Sequence, residues 1–248
     1  MRVSDFVAFI TKREEHRLAK EGKLPSGAEQ SWEPDPIIAQ YRFCNVQRND
    51  DRVTKWIHEN LMYPLANYPH LWFVLVIARL FNNPQTLAAF DLSQYIMWRP
   101  AHWRKKLNKL REHGTIFNAA YIVSTNGRAM DKVDYVVDCI LNPLWRGRYV
   151  ISESIDSATT LDEAHKVLMS AQGLGSFMAA QVLADLKYAG PRSRWKDWHT
   201  FAASGPGSRR GLNRVLGGPL KQSRTEEDFR EKLALLREEV NARLKASH

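Results

Sequence analysis

The sequence has little cysteine and no long hydrophobic run, and these two absences exclude several classes of protein. Its two cysteines, Cys44 and Cys139, are too few for a disulfide framework and lack partners for a cysteine-based zinc site. Because both lie in apolar or amphipathic segments, we expect them to be buried free thiols. The most hydrophobic run, residues 71–80, is too short to span a bilayer and contains Arg79. With no apolar signal region at the start of the sequence, we expect a cytoplasmic protein that binds no membrane.

Acidic residues are also scarce relative to basic ones. The 27 Asp and Glu residues face 36 Lys and Arg residues, which gives a formal net charge of +9. Such an excess of positive charge favours a polyanionic partner, because cationic side chains that contact phosphates release condensed counterions. No group of histidines and carboxylates has the spacing of metal ligands, and the sequence therefore predicts neither a metal nor another cofactor. With 44% hydrophobic and 25% charged residues, the composition is that of an ordered globular protein.

Hydrophobic residues recur with the period of an α-helix along nearly the whole chain, and the sequence therefore predicts an all-α fold. The pair Asn126-Gly127 is a turn signal beside a β-prone segment, which leaves a small β-hairpin as an alternative at that point. The 248 residues are enough for one large domain. We expect a single all-helical domain of residues 1–248. The alternative has two helical lobes, one of residues 37–150 and one of residues 1–36 plus 151–248.

The segment of residues 168–211 points most directly to a function. It is predicted to contain the end of one helix, the tight turn Gly173-Leu174-Gly175 and a second helix from Ser176 to about Lys187. Two glycines around one apolar residue let the backbone reverse and leave N–H groups exposed at the positive end of the second helix. The pattern is typical of a helix-hairpin-helix, here over residues 168–187, which holds a nucleic-acid backbone; a glycine-rich turn between core helices is the alternative. The predicted DNA-binding residues are Gly173, Gly175, Ser176, Arg194 and Lys196.

A second stretch, of residues 37–60, is predicted to form one helix with an apolar stripe and an unusual polar face. Four polar residues follow one another on that face at spacings of four, three and four: Tyr41, Asn45, Arg48 and Arg52. One asparagine and two arginines in line form a fork-shaped receptor for phosphate oxygens or a base edge. Ordinary ion pairing, as between Asp51 and Lys55, is the alternative for any single charge here. An inward-facing Asn45 and Arg48 would be costly without a ligand or partner, so we predict that both are catalytic.

The tripeptide Asp197-Trp198-His199 lies 22 positions after Gly175, just past the second hairpin helix. It resembles the segment that carries the catalytic aspartate in DNA base-excision glycosylases of the helix-hairpin-helix superfamily. The lyase-competent members of that superfamily carry a lysine nucleophile where this sequence has Ser176 or Phe177. The resemblance therefore does not extend to abasic-lyase activity.

Three blocks spread along the chain resemble a second family more fully. They comprise residues 41–57, beginning Tyr-Arg-Phe-Cys-Asn-Val-Gln-Arg, residues 120–127, and the run Ser-Gly-Pro-Gly-Ser-Arg-Arg-Gly at 204–211. Together they resemble the alpha-glutamyl/putrescinyl thymine pyrophosphorylases of phage thymine hypermodification, which are also called amino acid:DNA transferases. That family is similar to the helical domain of the 5-hydroxymethyluracil DNA kinases. Because the sequence contains no Gly-x-x-x-x-Gly-Lys-Ser/Thr run, it resembles the transferase and not the kinase.

The resemblance implies a transfer reaction on double-stranded DNA in the cytoplasm of a phage-infected bacterium. A phosphorylated or pyrophosphorylated 5-hydroxymethyluracil would lose its leaving group, and the amine of an amino acid or polyamine would replace it. The base must be flipped out of the duplex, the departing anion must meet guanidinium groups, and the amine must lose a proton. Stepwise elimination through an exocyclic methylene and direct displacement fit the residues equally well.

Roles for individual residues follow from these requirements. Asp197 is predicted to be the general base, with a helix cap or a pair with Arg194 as its alternative role. The residues predicted to meet the leaving group are Arg48, Arg52, Arg209 and Arg210. Tyr41 and Asn45 would hydrogen-bond the flipped base. The complete set of predicted substrate-binding residues is Tyr41, Arg52, Tyr121, His199, Ser204, Arg209 and Arg210.

Each assignment in the substrate-binding set has an ordinary alternative. Tyr121 would otherwise be a core aromatic residue, His199 a structural histidine, and Arg209 and Arg210 contacts to DNA backbone phosphates. If the assignments are right, the face of residues 41–52 and the loop with Asp197, Arg209 and Arg210 form opposite walls of one pocket.

Three classes of function stay open, and we expect a monomer in each. The first is the amino acid:DNA transferase. The second is a helix-hairpin-helix DNA glycosylase, which would share the hairpin and Asp197 but needs neither Asn45, Arg48 nor the run at 204–211. The third is a non-catalytic DNA-binding module, in which the loss of Asp197 has no chemical consequence.

Overall fold

A computed structural model describes residues 2–27, 31–119, 123–189 and 195–246 of the chain. All regular elements in these ranges are helices, so the prediction of an all-α fold is confirmed. The turn at Asn126 and Gly127 is present, with positive φ angles of 52° and 78° at the two residues. No strand flanks this turn within the described ranges, and the alternative of a β-hairpin there is not supported.

The helices form two compact units, which are described separately. The terminal unit combines both chain ends, Met1–Arg52 and Ser204–His248, and the central unit is Val53–Ala203. The predicted two-lobe alternative also joined the two chain ends, but it placed the divisions after residues 36 and 150. Whether the chain folds as one domain or as two stays a prediction.

Four α-helices build the described part of the terminal unit. They are α1 (Val3–Lys20), α2 (Pro36–Gln40), α13 (Pro206–Leu216) and α14 (Glu226–Ala246). Helix α1 packs against α2 and α14, and the backbone N–H of Arg2 donates to the carbonyl of Val215 at the end of α13, at 2.6 Å. The two ends of the chain are therefore held together within this unit.

The glycine-rich run at 204–211 begins a helix rather than forming the predicted loop. Gly205 is the N-cap of α13, Pro206 occupies its first turn, and the Ser208 hydroxyl accepts a hydrogen bond from the N–H of Gly205 at 2.9 Å. Proline is favoured in the first helical turn because its fixed φ suits the helix and its missing N–H is not needed there. Gly217, at a φ of 80°, ends the helix in a left-handed conformation that favours glycine.

The helix predicted over residues 37–60 is also interrupted. Helix α2 ends at Gln40, and the chain continues without a helix until a 3₁₀ turn at Arg48–Asp50. The guanidinium of Arg13, from α1, donates to the carbonyls of Phe43 and Cys44 at 3.4 and 3.1 Å. These carbonyls would bond within the helix if it were continuous, so contacts with α1 outweigh the local helical pattern.

The described part of the central unit contains ten α-helices. The first of them starts at Arg52, the last residue before this unit. They are α3 (Arg52–Ile57), α4 (Leu71–Phe81), α5 (Pro84–Ala88), α6 (Leu92–Ile96), α7 (Pro100–Arg111), α8 (Lys132–Asp134), α9 (Asn142–Arg146), α10 (Arg148–Ser157), α11 (Leu161–Met169) and α12 (Ser176–Leu186). Every residue of α4 is buried, as expected for a central helix that is apolar all round. Helix α4 packs mainly against α12, and this pair forms the centre of the hydrophobic core.

Two wide π-helical turns interrupt the regular helices of the central unit. The first, His58–Met62, continues α3 directly, and the second, Tyr135–Leu141, joins α8 to α9. Turns of this kind are rare, and they are found frequently at functional sites.

None of the described helices combines the length and the hydrophobicity needed to cross a membrane.

The two cysteines are free but not buried as predicted. Cys44 is exposed and Cys139 is partly exposed. Cys44 lies in the non-helical stretch after α2, where no packed helix face covers it. The expectation of buried thiols was wrong for both cysteines. For Cys44 the reason is that the predicted helix is interrupted there.

Candidate functional site

The two helices and the turn predicted over residues 168–187 are present, and we call them the α11–α12 hairpin. Gly173 has a φ of 88°, and a Cβ atom placed on it would lie 2.5 Å from Cγ1 of Ile140. Leu174 is buried, whereas both flanking glycines, Gly173 and Gly175, are exposed. The imidazole Nε2 of His165, on α11, donates to the carbonyl of Ser176 at 2.9 Å and so ties the first helix to the start of the second. Binding of DNA by this hairpin stays a prediction.

The carboxylate of Asp197 caps the start of α11. Its Oδ1 atom accepts the backbone N–H of Leu161 at 2.5 Å, and its Oδ2 atom accepts that of Asp162 at 3.1 Å. Helix N-termini leave N–H groups without partners, and a carboxylate there also meets the positive end of the helix dipole. The capping role that the sequence left as an alternative is therefore present in the structure. A catalytic role for the same carboxylate stays a prediction.

The residues next to Asp197 lie partly at the surface of the central unit. Lys196 is exposed, and its backbone N–H donates to the carbonyl of Thr159 at 3.1 Å. His199 is also exposed, with its ring centre 6.4 Å from that of Trp198. Two other predicted site residues, Tyr121 and Arg194, lie outside the described residues.

In the terminal unit, Asn45 has an intramolecular partner. Its Oδ1 atom accepts a hydrogen bond from the guanidinium of Arg13 at 2.5 Å. The expectation that this side chain is costly without a ligand therefore does not apply, because Arg13 satisfies it. Tyr41 is exposed, Arg48 begins the 3₁₀ turn and Arg52 begins α3, so these residues do not share one helix face as predicted.

Ser204 and Arg209 form a network with Glu226 at the start of α13. The Glu226 carboxylate accepts hydrogen bonds from the backbone N–H of Ser204 at 3.0 Å and from the guanidinium of Arg209 at 2.7 Å. Burial raises the pKa of Glu226, but the hydrogen bonds from Ser204 and Arg209 lower it by more, and the pKa lies below its usual value. Arg209 is thus paired within the terminal unit, whereas Arg210 is exposed and donates only weakly, at 3.3 Å, to the carbonyl of Pro206.

The predicted site residues fall into two sets. The described residues of the central unit include Gly173, Gly175, Ser176, Lys196, Asp197 and His199, and the terminal unit holds Tyr41, Asn45, Arg48, Arg52, Ser204, Arg209 and Arg210. Because the two sets belong to different units, the pocket that was predicted to join them stays a prediction.

A buried polar centre in the central unit was missed by the sequence reasoning. Arg79 of α4 and Asp185 of α12 are 1% and 0% exposed, and their side chains form a two-pronged ion pair. The Nε atom of Arg79 donates to Oδ2 of Asp185 at 2.6 Å, and its Nη2 atom donates to Oδ1 at 2.7 Å. Arg79 also donates to the Thr54 hydroxyl at 3.0 Å. The signal was available, since an arginine within an otherwise apolar helix requires a buried acceptor.

The imidazole of His58 completes this polar centre. Its Nε2 atom lies 3.2 Å from Oδ1 of Asp185, and His58 itself is 4% exposed. His58 is also the first residue of the π-helical turn His58–Met62. The turn therefore places a nearly buried histidine next to the buried ion pair.

Exposed aromatic rings flank His58. The ring centres of Tyr63 and Tyr188 lie 5.9 and 6.2 Å from that of His58, and these tyrosines are 60% and 44% exposed. The Nζ atom of Lys187 lies 5.3 Å from the ring centre of Tyr188 and 4.9 Å from that of Trp198. We call His58, Tyr63, Lys187, Tyr188 and Trp198 the aromatic cluster. It combines exposed aromatic surface with positive charge, as nucleobase-binding surfaces do.

Among the described residues, no group of histidine, cysteine and carboxylate side chains could hold a metal ion.

Comparison with known proteins relates almost the whole chain to one family. The family model described as the helical domain of 5-hmdU DNA kinase matches residues 1–247. The chain is 25% identical over 217 residues to a protein named 5-hmdU DNA kinase from Bacillus phage SP10, with 78% of this chain and 33% of the relative covered. The chain thus spans about one third of that relative's length. No solved structure matches the chain.

Proposed function

Because this chain belongs to the family of 5-hmdU DNA kinase helical domains, we propose that it acts on thymine-derived bases in DNA during phage thymine hypermodification. The match over residues 1–247 is the observation that carries the proposal. Three blocks of the sequence, at residues 41–57, 120–127 and 204–211, resemble the amino acid:DNA transferases. The proposed activity is therefore a transfer onto a base that has already been phosphorylated.

In the proposed reaction, the amine of an amino acid or polyamine replaces the phosphate or pyrophosphate of phosphorylated 5-hydroxymethyluracil. The C–O bond at the methylene carbon breaks and its electron pair leaves with the phosphate oxygen, while the amine lone pair forms the new C–N bond. The amine nitrogen must also lose a proton. Asp197 is the proposed acceptor, since capping of α11 fixes its carboxylate in place and each oxygen keeps a further lone pair.

Cationic groups of the terminal unit are proposed to stabilise the departing anion. Arg210 is exposed on the first turns of α13, where the N-terminal end of the helix adds positive potential. Arg48 and Arg52 are the other proposed contacts. Arg209 is proposed to support this end of α13 through Glu226 and Ser204, because its guanidinium already donates to both side chains.

The α11–α12 hairpin is proposed to hold the DNA backbone. Its exposed Gly173 and Gly175 let a phosphate approach the start of α12 closely, and the exposed Lys196, whose backbone N–H contacts Thr159 just before α11, adds a cation. These contacts carry no sequence information, so they suit an enzyme that acts on one type of base in many sequence contexts.

The proposed function is tested by incubating the protein with double-stranded DNA that contains phosphorylated or pyrophosphorylated 5-hydroxymethyluracil. A mixture of amino acids and polyamines is added, and the digested nucleosides are analysed by mass spectrometry. We expect a nucleoside in which an amine has replaced the phosphate. DNA with unphosphorylated 5-hydroxymethyluracil is the control and should stay unchanged, because hydroxide is a poor leaving group.

Two other results of this assay would contradict the transferase. Abasic sites would indicate a DNA glycosylase, which would also use the hairpin and Asp197. Unchanged nucleosides together with tight DNA binding would indicate a non-catalytic module.

Gel filtration of the same preparation, with and without DNA, would test the expectation that the protein is a monomer.

A further inference from the structure

The polar centre fixes which nitrogen of His58 carries a proton. The carboxylate of Asp185 pairs with both prongs of the Arg79 guanidinium, so it is ionised and can only accept hydrogen bonds. The Nε2 atom of His58, 3.2 Å from this carboxylate, must therefore be the donor. In a neutral imidazole with a proton on Nε2, the other nitrogen, Nδ1, carries a lone pair and is an acceptor.

The Nδ1 atom is the second hydrogen-bonding group of the His58 imidazole. Within the described part of the chain, the imidazole forms no second hydrogen bond, and Nδ1 is not one of the fully enclosed polar atoms. A ligand beside Tyr63 and Tyr188 would meet an acceptor at Nδ1 of the neutral imidazole, because a proton shift from Nε2 to Nδ1 would place the lone pair of Nε2 against an ionised oxygen of Asp185.

The surroundings of His58 suit a flat heterocycle. The exposed rings of Tyr63 and Tyr188, both near His58, offer stacking surfaces for a nucleobase that has left the helix. Lys187, beside Tyr188 and Trp198, supplies positive charge for the phosphates that accompany the base. Among the described residues, Asp185 contacts the imidazole and is paired with Arg79, and Lys187 lies over the rings of Tyr188 and Trp198.

We infer that the aromatic cluster receives an unstacked pyrimidine, and that Nδ1 of His58 selects thymine-type bases by accepting their N3–H. A cytosine presents a lone pair at N3, which would face the lone pair of Nδ1 and leave two acceptors without a proton between them. Asp185 and Arg79 act as positioning residues, because they hold the imidazole in the selective tautomer. This inference rests on the proposed function only in taking thymine-type bases in DNA as the ligand.

The test compares two DNA duplexes that differ in a single unpaired base. One carries an unpaired thymine opposite an abasic-site analogue, and the other carries an unpaired cytosine there. Their affinities for the full chain are measured by fluorescence anisotropy beside a fully paired duplex. We expect tighter binding of the thymine duplex by about tenfold, the usual size of discrimination by one buried hydrogen bond.

The variant His58→Phe separates selection from a structural role. Phenylalanine keeps a flat ring but has no nitrogen that accepts from thymine, and Asp185 keeps its two hydrogen bonds from Arg79, so the preference for thymine should disappear. Circular dichroism checks that the variant is folded. Tyr188→Leu, which removes the ring but keeps apolar bulk, should weaken both unpaired duplexes about equally.

Matched controls come from a second histidine and tyrosine of the central unit. His70 is also nearly buried, and Tyr149 is an exposed tyrosine whose ring centre lies 5.0 Å from that of His70. His70→Phe and Tyr149→Leu should keep the tenfold preference for thymine. The inference is overturned if the wild-type protein binds both unpaired duplexes equally, or if a folded His58→Phe protein keeps the preference.

The result is independent of the transfer assay. A thymine preference without an amine adduct would support the base site and reject the transferase. An adduct without the preference would support the transferase and reject His58 as the selecting group.

Discussion

Arg79 is a charged side chain at the centre of an apolar helix, and its burial is possible only because its partners are fixed. Asp185 lies 106 positions away along the chain and accepts two of its N–H groups. Removing one member of a buried ion pair typically costs about 3–5 kcal/mol, because the other charge is left without compensation. The pair therefore fixes the placement of α12 against α4, and with it the position of His58.

Asp197 combines a structural task with a proposed chemical one, and replacement by asparagine separates them. In Asp197→Asn, the Nδ2 atom cannot accept an N–H, so one backbone donor at the start of α11 loses its partner. We expect a loss of about 1–2 kcal/mol and a decrease in the melting temperature of about 2–8 °C. If Asp197 accepts the proton of the amine, the transfer rate should also fall by about 100-fold or more.

Measurements at one temperature well below the melting transition keep the two effects apart. Thermal unfolding by circular dichroism gives the stability change, and the nucleoside digest gives the transfer rate for the same preparation. DNA affinity should persist in the variant. An unchanged transfer rate together with a lowered melting temperature would show that Asp197 caps α11 and is not the general base.

At the scale of elements, the α11–α12 hairpin depends on its two glycines in different ways. Gly173 has a left-handed backbone, and a Cβ atom on it would overlap Ile140. Gly175 has a φ of −77°, and a Cβ atom on it would meet open space. The first glycine is thus required for folding of the turn, whereas the second leaves room that a bound phosphate could use.

The variants Gly173→Ala and Gly175→Ala should therefore differ sharply in stability. For Gly173→Ala, backbone strain and overlap with Ile140 together should cost about 2–4 kcal/mol. For Gly175→Ala, the change should stay within about 1 kcal/mol, since the backbone conformation suits any residue. Urea unfolding measures both. Equal stability of the two variants would show that the turn does not rest on Ile140.

Local signals explain which elements could be predicted. The turn at Gly173-Leu174-Gly175 and the two helices beside it are set by residues close together in sequence, and they were predicted with nearly the right bounds. The helix over residues 37–60 failed because Arg13, about 30 positions earlier, binds the carbonyls of Phe43 and Cys44. Periodicity reports an amphipathic pattern, but not the competition for backbone groups by a distant side chain.

At the scale of the whole molecule, the candidate site shows the same division between local and distant information. The sequence indicated which residues are candidates for the site, but not which other residues of the chain they bind. Asn45 is paired with Arg13, Arg209 is paired with Glu226, and Asp197 caps α11. Each of these pairings joins residues at least 17 positions apart. The aromatic cluster was missed for the same reason, because only the folded chain brings Tyr188, which lies 130 positions later in the sequence, next to His58.

The net charge of +9 predicts how DNA binding responds to salt. Each phosphate neutralised by the protein releases condensed counterions, so the logarithm of the affinity falls linearly with the logarithm of the salt concentration. For contacts with about four to six phosphates, the affinity for a fully paired duplex should fall by about 10²- to 10³-fold between about 50 and 200 mM salt.

The contribution of the α11–α12 hairpin and its flank is isolated by two variants that each remove one positive charge. Lys196→Gln should reduce the slope of this logarithmic plot by about one, because one phosphate contact is lost. Lys23→Gln lowers the net charge equally, but Lys23 is paired with Glu21 at 2.8 Å in the terminal unit and should leave the slope unchanged. If both variants shift the slope alike, the overall charge attracts the DNA and the hairpin does not hold it at a defined place.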